Sequence, residues 1–175
     1  MPVLRFLFGV LVAIFCWAFA LKIHPGAAKI FDPFLIVVLY HSLRSPALGS
    51  AGAGTVIGLV HDALTGGLYG LHGFANTLTG YLAGVVRQHF VIQQPAQITL
   101  FCLLGGAAQV VILGLLQFLL VSDAELPRAA DALGKAALTG GLGTLVYLLS
   151  TRFFSWERGW RERRRSRLGL DTYDS

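Results

Sequence analysis

Charged side chains are scarce in this chain, and those present are unevenly distributed. Asp, Glu, Lys and Arg make up 13% of the 175 residues, whereas 55% of the residues are hydrophobic. Half of the 14 Lys and Arg residues lie between Arg152 and Arg167, so the chain before Arg152 is poorer still in charge. This composition excludes a soluble domain of useful size and indicates a polytopic membrane protein.

Cysteines and catalytic motifs are also scarce. The two cysteines, Cys16 and Cys102, lie in apolar runs, where a thiol usually behaves as a small buried hydrophobic group. They predict neither a disulfide framework nor a metal site. The sequence contains no nucleophile elbow, paired-carboxylate motif, H-E-x-x-H or phosphate loop. We therefore expect a non-enzymatic protein that uses no cofactor and no metal.

Six apolar segments are candidates for membrane helices, namely residues 6–21, 33–43, 47–63, 71–86, 98–121 and 132–149. The second is short, because Asp32-Pro33 resembles a helix start with Pro at the first helical position. At about 1.5 Å per residue it would cover about 16 Å of a hydrocarbon core of about 30 Å. Either this helix begins near Ala27 and kinks at Pro33, or it is short and shielded by its neighbours.

We predict an all-α membrane protein with about six transmembrane helices in residues 1–151 and a basic amphipathic cytoplasmic tail in residues 152–175. With both termini cytoplasmic, ten Lys and Arg residues lie inside and four outside, which agrees with the positive-inside rule. Two alternatives stay open. A five-span chain would have its second segment re-entrant or in the membrane interface and its N-terminus outside. The first segment could instead be a signal peptide with Ala18-Phe19-Ala20 as its cleavage site.

The third and fourth segments carry small and polar residues at helical spacing. The glycine-rich stretch in residues 65–70 predicts a tight turn between two antiparallel helices. Small residues four apart share a helix face and let two backbones approach closely. We predict helix-packing or partner contacts at Gly54, Gly58, Asp62, Gly73, Asn76, Thr77, Gly80 and Gly84. A symmetric hairpin would bring Asp62 near Gly73, Gly58 near Thr77 and Gly54 near Tyr81.

Asp62 is the acid of greatest interest, with His61, His72 and Asn76 as candidate partners. Deep in the bilayer a carboxylate costs about 2.5 to 3.5 kcal/mol and needs a partner, whereas at an interfacial helix end it costs much less. Both positions are compatible with the sequence. We do not expect a metal site at His61, Asp62 and His72, because adjacent residues point to different helix faces and no ligand spacing is recognisable.

The C-terminal tail combines aromatic and basic residues. Phe153, Trp156 and Trp160 recur at helical spacing while most arginines lie off that face, which is typical of an amphipathic helix on the inner leaflet. We predict inner-leaflet or cytoplasmic-partner contacts at Trp156, Trp160, Arg161, Arg164 and Arg165. We do not expect nucleic acid as a partner, because the lipid headgroups are the nearer anions after a membrane span.

The stretch from Asp32 to Gly84 resembles the MreD family of rod shape-determining proteins. The resemblance lies in D-P-F-L-I-V-V-L-Y-H-S-L-R-S-P, in G-x-x-x-G-L-V-H-D-A-L-T-G-G-L-Y-G-L-H-G-F and in the closing G-Y-L-A-G. The aspartate of the family's G-L-x-x-D element falls on Asp62.

This resemblance implies a non-enzymatic inner-membrane scaffold subunit of the elongation complex, which supports cell shape and side-wall peptidoglycan synthesis. The implied partners are a bitopic MreC-like protein, RodA, a penicillin-binding transpeptidase, MreB filaments and membrane lipids. Members of the family are structurally similar to the substrate-binding subunits of energy-coupling-factor vitamin transporters, so such a subunit is the alternative function. That alternative requires a pocket, for which Tyr69, His72 and Asn76 are the candidates.

Overall fold

The computed structural model describes residues 2–23, 31–66, 68–90, 92, 94–120 and 133–149. These residues form six helices, which are α1 (Pro2–Ile23), α2 (Pro33–Ser42), α3 (Ala47–Thr65), α4 (Leu71–His89), α5 (Pro95–Leu120) and α6 (Leu133–Leu149). Three of these helices are long and apolar enough to cross a membrane, namely α1 over the range Phe6–Ile23, α3 and α5. The prediction of an all-helical chain is confirmed for the described residues. The chain divides into two compact units, Met1–Thr144 and Leu145–Ser175.

Helix α2 is short because local sequence fixes both of its ends. Asp32 is its N-cap, and the carboxylate oxygen Oδ1 accepts a hydrogen bond from the backbone N–H of Leu35 at 3.0 Å. Pro33 is the first helical residue. The missing N–H of proline costs no hydrogen bond at this position, because the first N–H groups of a helix have no partner within the helix. Phe31 and Asp32 are not helical, so α2 does not continue a helix through Pro33. Pro46 then separates α2 from α3.

Helix α2 lies at the centre of the bundle, although it has only 10 residues. Its side chains Phe34, Leu35, Val38 and Leu39 are 0% exposed, and it contacts α1, α3, α4 and α5. A length of about 15 Å covers half of a hydrocarbon core of about 30 Å. The longer helices therefore enclose α2, as expected for the short, shielded alternative.

Helices α3 and α4 form a tight antiparallel hairpin. Gly66, which caps the end of α3, has a φ of 65°, and Gly70, which caps the start of α4, has a φ of 94°. A residue with a side chain rarely adopts these left-handed angles, so the two glycines allow the chain to reverse within a few residues. Both helices extend slightly beyond the predicted segments, α3 to Thr65 and α4 to His89.

Helices α5 and α6 pack through glycines within the first compact unit. Gly106 of α5 lies against Ala136 and Thr139 of α6, and Gly143 of α6 lies against Cys102 of α5. Two buried residues of α4, Leu71 and Ala75, form an apolar cluster with Leu113, Ile112 and Leu116 of α5. The α5 helix thus connects the α3–α4 hairpin with α6.

Candidate functional site

Four glycines bring the backbones of α3 and α4 into direct contact. A methyl group built on Gly54 would overlap the carbonyl oxygen of Asn76, and one built on Gly58 would overlap that of His72. From the other side, a Cβ on Gly80 would lie 2.5 Å from the carbonyl oxygen of Ser50, and a Cβ on Gly84 would lie 2.5 Å from the Cα of Ala47. We call Gly54, Gly58, Gly80 and Gly84 the glycine seam.

The helix pairing in the hairpin differs from the symmetric prediction. Gly58 lies against His72 and Gly73 rather than Thr77, and Gly54 lies against Asn76 and Thr77 rather than Tyr81. The predicted proximity of Asp62 and Gly73 does occur, but through the aspartate side chain. A helical side chain leans toward the N-terminus of its own helix, so the Asp62 carboxylate reaches Gly73 from a Cα nearer the turn. Compared with the symmetric prediction, the residues of α4 that face Gly54 and Gly58 lie about one helical turn closer to the start of α4.

Asp62 caps the N-terminus of α4 from the neighbouring helix. Its Oδ2 accepts hydrogen bonds from the backbone N–H groups of Gly70 and Gly73, both at 2.9 Å. Its Oδ1 accepts from the backbone N–H of His72 at 3.0 Å and lies 2.8 Å from the His72 ring nitrogen Nδ1. The first N–H groups of a helix have no partner within the helix, and a negative charge there also interacts favourably with the helix dipole. Asp62 is 1% exposed, so its carboxylate is buried within the protein although it lies in the last turn of α3.

An aromatic group connects this cap with the central helix. The His61 ring stacks on Phe34 of α2 with ring centroids 4.6 Å apart, and it lies 4.2 Å from the His72 ring. Trp17 of α1 meets His61 edge to face at a centroid distance of 6.3 Å. Within the described residues, no group of His, Cys, Asp and Glu side chains could hold a metal ion. The His61 ring packs against the other aromatic rings, whereas the His72 ring also contacts the Asp62 carboxylate.

A second buried polar group, the Asp32 cluster, consists of Asp32, Asn76, Gln109 and Lys135. Gln109 Nε2 donates to Asn76 Oδ1 at 2.6 Å and to Asp32 Oδ2 at 3.1 Å, and Lys135 Nζ forms an ion pair with Asp32 Oδ2 at 3.1 Å. Asn76 and Gln109 are 0% exposed, Asp32 is 3% exposed and Lys135 is 9% exposed. The cluster therefore joins the N-terminus of α2 to α4, α5 and α6 in the interior of the protein.

Sequence reasoning missed most of this cluster. It identified Asp32 as a helix start and Asn76 as a contact residue. It counted Lys135 only as one of the four basic residues on the outer side, and it passed over Gln109. Two signals were available. Gln109 places an amide in the middle of the apolar segment 98–121, and Lys135 lies near the start of the apolar segment 132–149. Polar groups within membrane segments usually face the protein interior and pair with each other, so these two residues could have been proposed as partners of Asp32.

The residues predicted on the hairpin lie at two kinds of position. The seam glycines and Gly73 lie between α3 and α4, and Thr77 Oγ1 lies 2.7 Å from Thr55 Oγ1 across the same contact. Asp62 and Asn76 form internal polar contacts, as described above. The predicted tail contacts Trp156, Trp160, Arg161, Arg164 and Arg165 lie outside the described residues.

The three pocket candidates of the transporter alternative do not converge. Tyr69 is 75% exposed on the turn, whereas His72 bonds to Asp62 and Asn76 bonds to Gln109.

These features define a class, a helical membrane protein with a glycine-packed hairpin and buried polar clusters. The family model for the rod shape-determining protein MreD matches residues 1–126, and the chain belongs to this family. The match confirms the resemblance and extends it from residues 32–84 to α1 and α5. No curated protein and no solved structure matches the chain. The chain is therefore a rod shape-determining membrane protein, and its family is not a family of enzymes. Nothing in the match supports the transporter alternative.

Proposed function

We propose that this chain is a scaffold subunit of the bacterial elongation complex in the inner membrane. In this role it supports side-wall peptidoglycan synthesis by binding a bitopic MreC-like protein. RodA, a penicillin-binding transpeptidase and MreB filaments are further partners of the same complex. The observation that supports the proposal is the MreD family match over residues 1–126.

The structure of the hairpin is compatible with a scaffold role. Asp62 is 1% exposed and Asn76 is 0% exposed, so a partner would meet other residues of α3 and α4. Phe74, Leu78 and Tyr81 of α4 are exposed to 58%, 36% and 46%, on the surface that a lipid or a partner helix covers. An added Cβ at any seam position would crowd the backbone of the facing helix, so this close packing of α3 and α4 requires glycine there.

Six membrane crossings with both termini in the cytoplasm complete the proposal. This topology places Arg44, Arg87 and the arginine-rich tail on the cytoplasmic side, in agreement with the positive-inside rule. It places the turn between α3 and α4, with the exposed Leu68 and Tyr69, on the outer side.

The tail is proposed to contact the inner leaflet or a cytoplasmic partner. Each basic residue near an anionic membrane surface contributes about 1 kcal/mol to binding. Changing Arg161, Arg163, Arg164 and Arg165 to Gln should weaken binding of the tail peptide to vesicles that contain anionic lipid, without lowering the membrane level of the whole protein. Equal binding of the unchanged peptide to anionic and neutral vesicles would favour a protein partner instead.

Deletion and co-purification test the function itself. A clean deletion should turn rod-shaped cells round, and re-expression of the chain should restore their shape. The protein purified in mild detergent should carry an MreC-like bitopic protein and no ATPase module. Normal rod shape in the deletion strain, together with tight binding of a vitamin by the purified chain, would replace the scaffold with the transporter alternative.

A further inference from the structure

Asp32 receives contacts from three separate parts of the chain. Its Oδ1 caps α2 through Leu35, and its Oδ2 accepts from Gln109 of α5 and pairs with Lys135 of α6. Asp32 and Lys135 are 103 positions apart in sequence, and both are buried. Lys135 also lies beyond residues 1–126, which match the MreD family model. The charge that pairs with Asp32 thus comes from outside the matched region.

Helix α2 needs such a partner because its N-terminus lies inside the bundle. With 10 residues it cannot cross a hydrocarbon core alone, and the carboxylate at its start is 3% exposed. An unpaired carboxylate in this environment is strongly unfavourable, whereas a paired and hydrogen-bonded one is tolerated. Burying apolar side chains against each other provides no hydrophobic driving force in lipid, so polar contacts carry more of the specificity.

We propose that Lys135 is the counter-ion that holds helix α2 in the membrane. The Asp32–Lys135 ion pair and Gln109 form a polar clasp that fixes the start of α2 only when α5 and α6 are in place. Helix α6 is thus required for the position of helix α2. This inference concerns the conformation of the chain and does not depend on which partner the protein binds.

The conservative variants separate charge from capping. Asp32→Asn removes the charge but keeps a side-chain oxygen that can cap α2, because Asn and Asp are both good N-caps. Lys135→Met removes the other charge and keeps a long apolar side chain. In the double variant Asp32→Asn/Lys135→Met, both charges are absent and the cap is retained. Lys22→Met is the matched control, because Lys22 is exposed at the end of α1.

Thiol labelling reports the position of α2 directly. In the full-length chain with Cys16→Ala and Cys102→Ala, a Phe31→Cys substitution places a single thiol just before the clasp. The rate of its reaction with a membrane-impermeant maleimide is measured in opened vesicles, so that both membrane surfaces are accessible. Protein level in the membrane is measured in parallel for every variant.

The proposal predicts a specific order of labelling rates. Lys135→Met should raise the rate at least fivefold, the double variant should return it to within twofold of the parent, and Lys22→Met should leave it unchanged. If Lys135→Met does not accumulate, a double variant that accumulates and is protected gives the same support. A parental labelling rate and a parental membrane level in Lys135→Met would overturn the proposal. The proposal would also be overturned if the double variant were labelled as fast as Lys135→Met, or accumulated in the membrane as poorly as Lys135→Met.

Discussion

At the scale of single residues, Asp62 shows how one carboxylate can organise a membrane hairpin. Its two oxygens accept from the backbone N–H groups of Gly70, His72 and Gly73 and lie next to the His72 ring. The carboxylate therefore replaces the hydrogen bonds that the first turn of α4 lacks. Its burial is tolerated because its oxygens accept hydrogen bonds from backbone N–H groups that have no partner within α4.

Removing this carboxylate should destabilise the hairpin. Asp62→Ala leaves three backbone N–H groups without their acceptor, and a buried unsatisfied donor costs about 1 to 3 kcal/mol. We expect a total loss of about 3 kcal/mol in stability, allowing for partial replacement by water. Thermal unfolding in detergent and the amount of protein in the membrane are the measurements.

Asp62→Asn provides the control for Asp62→Ala, because the amide keeps one oxygen as an acceptor. We expect an intermediate stability for this variant, closer to the parent than to Asp62→Ala. If both variants unfold at the parental temperature, the capping role of Asp62 is wrong.

At the scale of helices and turns, the sequence predicted the helix boundaries better than it predicted which residues of α3 and α4 face each other. Pro33, Pro46, Gly66 and Gly70 fix helix boundaries locally. The helix starts at Ala47 and Leu71 were predicted correctly, and the start at Pro33 was one of the two alternatives. The residues of α4 that face Gly54 and Gly58 lie about one helical turn from the predicted ones, because the assumed symmetry about the turn does not hold. A pattern of small residues identifies the contact face, but it does not specify which residue meets which.

The seam predicts contrasting effects for the same substitution at two glycines of α3. Gly58→Ala places a methyl group against the backbone of His72 and Gly73, whereas at Gly52 nothing lies within 4 Å of the added Cβ. Overpacking typically costs about 1 to 3 kcal/mol, so Gly58→Ala should lower stability by that amount. Gly52→Ala should be neutral or should stabilise the helix by up to about 1 kcal/mol, since Ala is the better helix former.

Membrane level, unfolding temperature in detergent and restoration of rod shape should be measured for both glycine variants. Gly84→Ala extends the comparison to α4, because its Cβ would lie 2.5 Å from the Cα of Ala47. Equal tolerance of Gly58→Ala and Gly52→Ala would mean that the hairpin can separate at no cost, contrary to a close backbone contact.

At the scale of the whole molecule, the least predictable feature is the Asp32 cluster. Composition and hydropathy identified a helical membrane protein, and local motifs identified the hairpin, since both depend on residues that are close in sequence. The cluster combines Asp32, Asn76, Gln109 and Lys135 from four helices or their caps. A polar residue in an apolar segment signals that it needs an internal partner, but the geometry of the contact follows from the arrangement of the helices.

The topology of the chain depends on whether α2 counts as a crossing. A reporter fused at residue 2 and another at residue 175 should both indicate the cytoplasm, because six crossings return the chain to its starting side. A reporter inserted between Leu68 and Tyr69, which are exposed on the turn between α3 and α4, should indicate the outside. This third reporter is an internal standard, since five-span and six-span chains with a cytoplasmic tail both place the turn outside.

Only the reporter at residue 2 therefore distinguishes the two topologies. An outside signal there would show that α2 does not complete a crossing, and it would place Arg5 on the side that the positive-inside rule disfavours. We expect the cytoplasmic signal, because only the six-span chain places Arg5 on the side that the positive-inside rule favours.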